Sequence, residues 1–85
     1  MRIACSLGSL LSVEEVLQCS KSLSDSKIDS IWIPETWGME NFSTMSAVAS
    51  NTDSQKIGSS IINIYSRSPS TIAMGAATVD ILSKG

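Results

Sequence analysis

Apolar residues along the chain fall into short alternating blocks, some contiguous and some at helical spacing. Arg2 to Leu7 reads as a short buried strand, with Gly8 and Ser9 as a loop. Ser12 opens a helix. Ser12, Glu14 and Glu15 include the S-x-x-E pattern of a capping box, in which a hydroxyl and a carboxylate satisfy exposed amides reciprocally. Val13, Val16, Leu17 and Leu23 share one face of that helix, and Glu14, Gln18 and Lys21 the other. The helix fades between Asp25 and Lys27, where Ser and Asp compete for the backbone. Ser30 to Glu35 is a second strand. Its contiguous Ile31, Trp32 and Ile33 suit a strand covered on both faces, and Pro34 marks its end. Gly38 to Asn41 is loop. A second helix runs from about Ser43 to Asn51, with Phe42, Met45, Val48 and Ala49 as its core stripe. Thr52 to Gln55 is a polar turn.

The stretch from Lys56 to Pro69 organises the rest. It starts as a strand, Lys56 to about Asn63, rich in isoleucine. It ends as a helix start, with Ser68 placed to cap and Pro69 at the first helical position. Ser59, Ser60, Asn63 and Ser66 lie between, with Tyr65 and Arg67. By local features this is an ordinary strand–loop–helix junction. It is also where α/β proteins hold anionic cofactors, because free amides and the helix dipole point there. The third helix runs from Pro69 to about Leu82, with Ile72, Ala76, Val79 and Leu82 on its buried face. Ala73, Gly75 and Ala77 allow close approach to a sheet, and Ser83 to Gly85 ends it.

The order is therefore β-α-β-α-β-α, with strands recurring roughly every 27 residues, the period of βαβ units. Right-handed crossovers then give a parallel sheet. A doubly wound sheet and a (β/α) barrel both remain open. Neither G-x-G-x-x-G after the first strand nor a G-x-x-x-x-G-K-[ST] loop occurs, which tilts the expectation toward a barrel. In either architecture the working ends are the carboxyl ends of the strands, here Cys5 to Gly8, Glu35 to Trp37 and Ser60 to Asn63.

Composition narrows the chemistry. At 85 residues the chain holds one small domain. Charged residues make up 16% and the net charge is −2, with no run of Lys or Arg, so neither nucleic acid nor an anionic membrane surface is expected as a partner. No apolar run approaches the ~20 residues of a membrane span. Histidine is absent, which removes imidazole acid–base chemistry and His metal sites from these residues. Cys5 and Cys19 lack C-x-x-C spacing and follow no secretory signal. Two buried, reduced thiols in a cytoplasmic protein are expected, and no metal site.

The residues also carry a family resemblance. Asp29, Trp32 and Glu35 fit the D-x-x-W-x-x-[DE] second strand of the luciferase-like monooxygenase superfamily. Ala49, Thr52, Ile57 and Gly58 fit its approach to the third strand. Asn63, Arg67, Pro69 and Ala73 fit N-x-x-x-R-x-P-x-x-x-A, and Thr78, Asp80, Leu82, Ser83 and Gly85 fit T-x-D-x-L-S-x-G. The form N-x-Y-x-R-S-P is most similar to the coenzyme F420-dependent methylenetetrahydromethanopterin reductase branch.

This resemblance implies the first three βα units of a (β/α)8 TIM barrel, with residues 1–85 a partial domain truncated before the fourth strand, since such barrels run to about 250 residues. It implies an oxidoreductase of the superfamily, working by hydride transfer with F420 or, alternatively, as an FMN-dependent monooxygenase. A small-molecule substrate and a homo-oligomer at full length go with it. It places cofactor-binding residues at Ser60, Ile61 and Asn63, with a bulge at Ser60-Ile61 that often carries a non-prolyl cis peptide in the family. Glu35 matches the family's second-strand carboxylate and is the candidate catalytic residue. Thr36 departs from the family, where histidine is common, and puts a proton donor there in doubt. Trp37 either walls the pocket or packs. Arg67 either reaches a phosphate or forms a structural ion pair, with Asp80 as the expected partner. A chain of three βα units would by itself be marginal and inactive, and a non-catalytic remnant or interaction domain is the alternative from another class.

Overall fold

The computed structural model describes residues 1–8, 10–35 and 39–85. The expectations for Ser9, Thr36, Trp37 and Gly38 lie outside the described residues. Six elements follow in strict alternation: β1 (Ala4–Ser6), α1 (Val13–Ser24), β2 (Ser30–Pro34), α2 (Asn41–Ser50), β3 (Lys56–Ile61) and α3 (Pro69–Leu82). The strands form one parallel sheet in the order β1-β2-β3.

Register explains the faces. Cys5, Ile31 and Ile57 are aligned across the sheet, and side chains in such a row point the same way. This row turns toward the helices, where Ile31 and Ile33 are fully buried against Val16 of α1, Met45 and Val48 of α2 and Val79 of α3. The alternate row, Ser6, Trp32 and Gly58, faces the other way. There the Trp32 ring lies so close over Gly58 that any Cβ would meet it at 2.8 Å, and Trp32 remains 40% exposed. Ser30 accepts the indole N–H at 2.9 Å, which fixes the ring on this open face.

Caps and turns largely follow their residues. Ser12 and Glu15 form the capping box. Ser68 caps α3, with Pro69 as its first residue. Two polar side chains also hold element ends. Gln55, buried in the turn before β3, donates to the Leu23 carbonyl at 3.0 Å and closes the end of α1. Asp29 accepts from the Ile3 amide at 2.7 Å and ties the amino end of β2 to β1.

Several expectations shift. α2 begins at Asn41, not Ser43, because Glu40 caps it by accepting from the Phe42 and Ser43 amides. β3 ends at Ile61, not Asn63, because the Asn63 side chain accepts from the Tyr65 amide and turns the chain. On α3 only Val79 is fully buried, Ile72 and Gly75 are half-buried, and Ala76 and Leu82 stay exposed. That helix meets α2 mainly through the Phe42 ring pressed against Gly75. Val13 of α1 is exposed as well, while Ser20 is buried, its hydroxyl bonded to the Leu17 carbonyl. Cys5 and Cys19 are both free thiols and half-buried. No helix among the described residues is long and apolar enough to cross a membrane.

Candidate functional site

The carboxyl ends of β2 and β3 meet at a register shift. Ile33 is aligned with Ser59, but Pro34 is aligned with Ile61, so Ser60 is the extra residue of a β-bulge. Pro34 has no amide hydrogen, so the ladder breaks opposite it without losing a bond. It resumes one residue later, where the Glu35 amide donates to the Ile61 carbonyl at 3.0 Å. A bulge thus stands at Ser60-Ile61 as the resemblance implied. The cis peptide expected with it is not found: every peptide among the described residues is trans. The extra residue alone absorbs the shift.

Ser60, Ile61 and Asn63 all lie at the surface around the end of β3. Ser60 and Asn63 are exposed and Ile61 is 60% exposed, beside Ile64 and Tyr65. The Asn63 Oδ1 accepts from the Tyr65 amide at 2.8 Å.

Beneath this edge lies a charged cluster. Arg67 forks onto Glu35: its Nη1 donates to Oε1 at 2.6 Å and its Nη2 to Oε2. Nη2 also donates to Glu40 Oε2 at 2.6 Å, and Nη1 to the Asn63 carbonyl at 3.0 Å. The guanidinium sits over the Phe42 ring, 5.4 Å from its centre. Glu35 accepts in addition from the Asn63 amide at 2.8 Å and the Asn41 amide at 3.0 Å. Asn41, fully buried, donates through its side chain to the Ile33 carbonyl at 2.8 Å. The ion pair expected for Arg67 is therefore present, but with Glu35 and Glu40 rather than Asp80.

Electrostatics follow from these bonds. The Arg67 fork, helped by the Asn63 and Asn41 amides, holds the Glu35 carboxyl down at about 2 against the opposing cost of burial. Glu35 in turn raises the Arg67 guanidinium. The Glu40 carboxyl is also lowered: burial pushes it up, and bonds from Ser43, Phe42 and Arg67 outweigh that. A carboxylate so held carries no proton near neutrality and has both oxygens engaged. This geometry suits Glu35 to positioning rather than to the proton or substrate chemistry expected of a catalytic residue.

Glu40, Asn41 and the place of Phe42 beneath the Arg67 guanidinium are what sequence reasoning missed. Glutamate is outside the preferred capping types, so nothing marked Glu40 as a helix start. Its pairing with Arg67 spans 27 residues and has no local signature.

Ser60, Ile61 and Asn63 together present one apolar and two polar side chains at the surface of the strand end. Comparisons with known proteins place the chain in a family. The profile of luciferase-like monooxygenases matches residues 1–85. Similarity also extends to a protein of Mycobacterium tuberculosis named as a coenzyme F420-dependent oxidoreductase, 33% identical over 61 residues, which are 72% of this chain and 18% of that protein. The chain thus spans a small part of the length of that relative. Matched along its whole length, this chain belongs to the luciferase-like monooxygenase family, a family of oxidoreductases.

Proposed function

We propose that the chain contributes three βα units to a (β/α)8 barrel oxidoreductase that uses coenzyme F420 to move a hydride to or from a small-molecule substrate. The observation that carries this reading is the bulge at Ser60, which presents Ser60, Ile61 and Asn63 at the carboxyl edge of the sheet. The F420-dependent name of the Mycobacterium tuberculosis relative favours F420 over FMN.

The winding of α3 supports the barrel. A right-handed crossover puts its helix on one face or the other according to the direction in which the sheet grows. α1 and α2 lie on one face, and Val79 places α3 in the same core. Growth therefore continues past β3 in the same direction, as in a barrel. A doubly wound sheet reverses at its switch point and sends the next helix to the opposite face.

In this reading F420, when bound, supplies the hydride chemistry. The chain's own residues bind and orient. Ile61 gives the ring an apolar backing, Ser60 and Asn63 offer polar atoms to its edge, and Glu35 keeps the bulge in place from below. The test is a titration of the longest polypeptide that carries these 85 residues with F420 and with FMN, followed by absorbance. Saturable binding of F420 with much weaker binding of FMN is expected. Tight FMN binding without F420 binding overturns the cofactor assignment.

A further inference from the structure

We propose that Arg67 is a positioning residue of this site, fixing the main chain of Asn63 and the bulge before it through Glu35 and Glu40 without touching a ligand itself. The inference rests on the reading of Ser60, Ile61 and Asn63 as cofactor-binding residues.

Both terminal nitrogens of the guanidinium are committed within the protein. Its two terminal nitrogens make four bonds, two to Glu35, one to Glu40 and one to the Asn63 carbonyl. One flat face is covered by Phe42, and the side chain is 11% exposed. Two carboxylates around one guanidinium leave the cluster net negative, so a phosphate brought there meets repulsion. These features remove Arg67 from the anion-binding role that its place beside a helix start suggests.

What the cluster does hold is the strand end. Three main-chain atoms of the outgoing chain are pinned by one ion pair and its residue: the Ile61 carbonyl by the Glu35 amide, the Asn63 amide by the Glu35 carboxylate, and the Asn63 carbonyl by Arg67. Only Ile62 stands between these two residues, and Ser60 immediately precedes them. The segment expected to face the cofactor is thus fixed on both sides. Glu40 extends the anchor to the first turn of α2, and Phe42 rests on Gly75 of α3. A bidentate fork is needed for this geometry, because a single ammonium cannot hold two carboxylate oxygens in plane. Preorganised support of this kind limits the movement of contact residues.

The experiment is a double-mutant cycle in the longest polypeptide carrying these residues, with F420 affinity and amide hydrogen exchange as readouts. Arg67→Met is expected to weaken F420 binding about tenfold and Arg67→Lys by a smaller factor. In an Asn63→Ala background, Arg67→Met is expected to cost only about twofold, since the side chain it positioned is gone. Inorganic phosphate is expected to compete with F420 equally well in the wild type and in Arg67→Met. Additive effects, or phosphate competition lost only in Arg67→Met, overturn the inference. Exchange at the Asn63 amide separates this inference from the cofactor reading. It is expected to quicken at least about tenfold in Arg67→Met and Glu35→Gln while Ile31 and Ile33 stay protected. Unchanged exchange at Asn63 refutes the clamp even if F420 binds. Quickened exchange with no F420 binding by the wild type leaves the clamp standing as a structural device and refutes its role at a cofactor site.

Discussion

Glu35 illustrates how one side chain acquires its role from its neighbours. In isolation it is a carboxylate at a strand end. In the fold it faces Arg67, shares the Nη2 of that guanidinium with Glu40, and accepts two amides. Its carboxyl falls from an ordinary 4.5 to about 2, so the folded state holds its proton less readily than the unfolded chain. The stabilisation is complete above about pH 4.5 and is lost as pH falls toward 2. Denaturant unfolding followed across that window should therefore show a steeper loss of stability for the wild type than for Glu35→Gln. Equal slopes would show that the fork does not stabilise the fold. The carboxylate at position 35 and the arginine at position 67 were legible in the sequence as chemistry. Their pairing was not, since their sequence separation of 32 allowed other partners, and Asp80 was an equally plausible choice by charge alone.

Gly75 is a second residue whose meaning depends on packing. A methyl group there would lie 2.7 Å from the Phe42 ring, too close for either helix to keep its place. Gly75→Ala should lower stability by about 1–3 kcal/mol in denaturant unfolding, the usual cost of overpacking, despite alanine's better helix propensity. A gain in stability would mean that Phe42 can turn aside. The sequence marked Gly75 as a site of close approach but assigned the approach to the sheet. It is instead α2 that comes near, through a ring whose direction no periodicity specifies.

At the scale of elements, local chemistry located the helices well where it was self-contained. The Ser12–Glu15 box and the Ser68-Pro69 start act within one turn, and α1 and α3 begin where those residues place them. Ser12→Ala should destabilise the fold by about 1 kcal/mol, as other N-cap removals do. Glu15→Gln, which keeps the reciprocal bond, should cost less. Equal losses would indicate that charge near the helix start contributes as much as the hydroxyl cap. The start of α2 was misjudged by two residues because its cap, Glu40, is shared with Arg67. The end of β3 was misjudged because an Asn side chain competed with the ladder for the chain direction. The bulge was legible only through the family resemblance. Its physical cause, Pro34 facing the point of the register shift, lies on another strand.

For the whole molecule, three helices on one face leave the row of Ser6, Trp32 and Gly58 on the other. Helices on one face and a sequential parallel strand order are consistent with the start of a barrel-like fold. Alternation of element types was readable from hydrophobic spacing alone. The side of the sheet taken by α3 was not, because its own apolar residues run nearly all the way round. Family membership was readable only from motif spacing.

The most direct test of this account is an amide shift map of the longest polypeptide carrying these residues, recorded with and without F420. The largest changes are expected at Ser60, Ile61 and Asn63, with Ile3, Asp29 and Lys56 at the opposite end of the strands unmoved. Changes concentrated at that opposite end, or none at Ser60 to Asn63 under saturating F420, would contradict it.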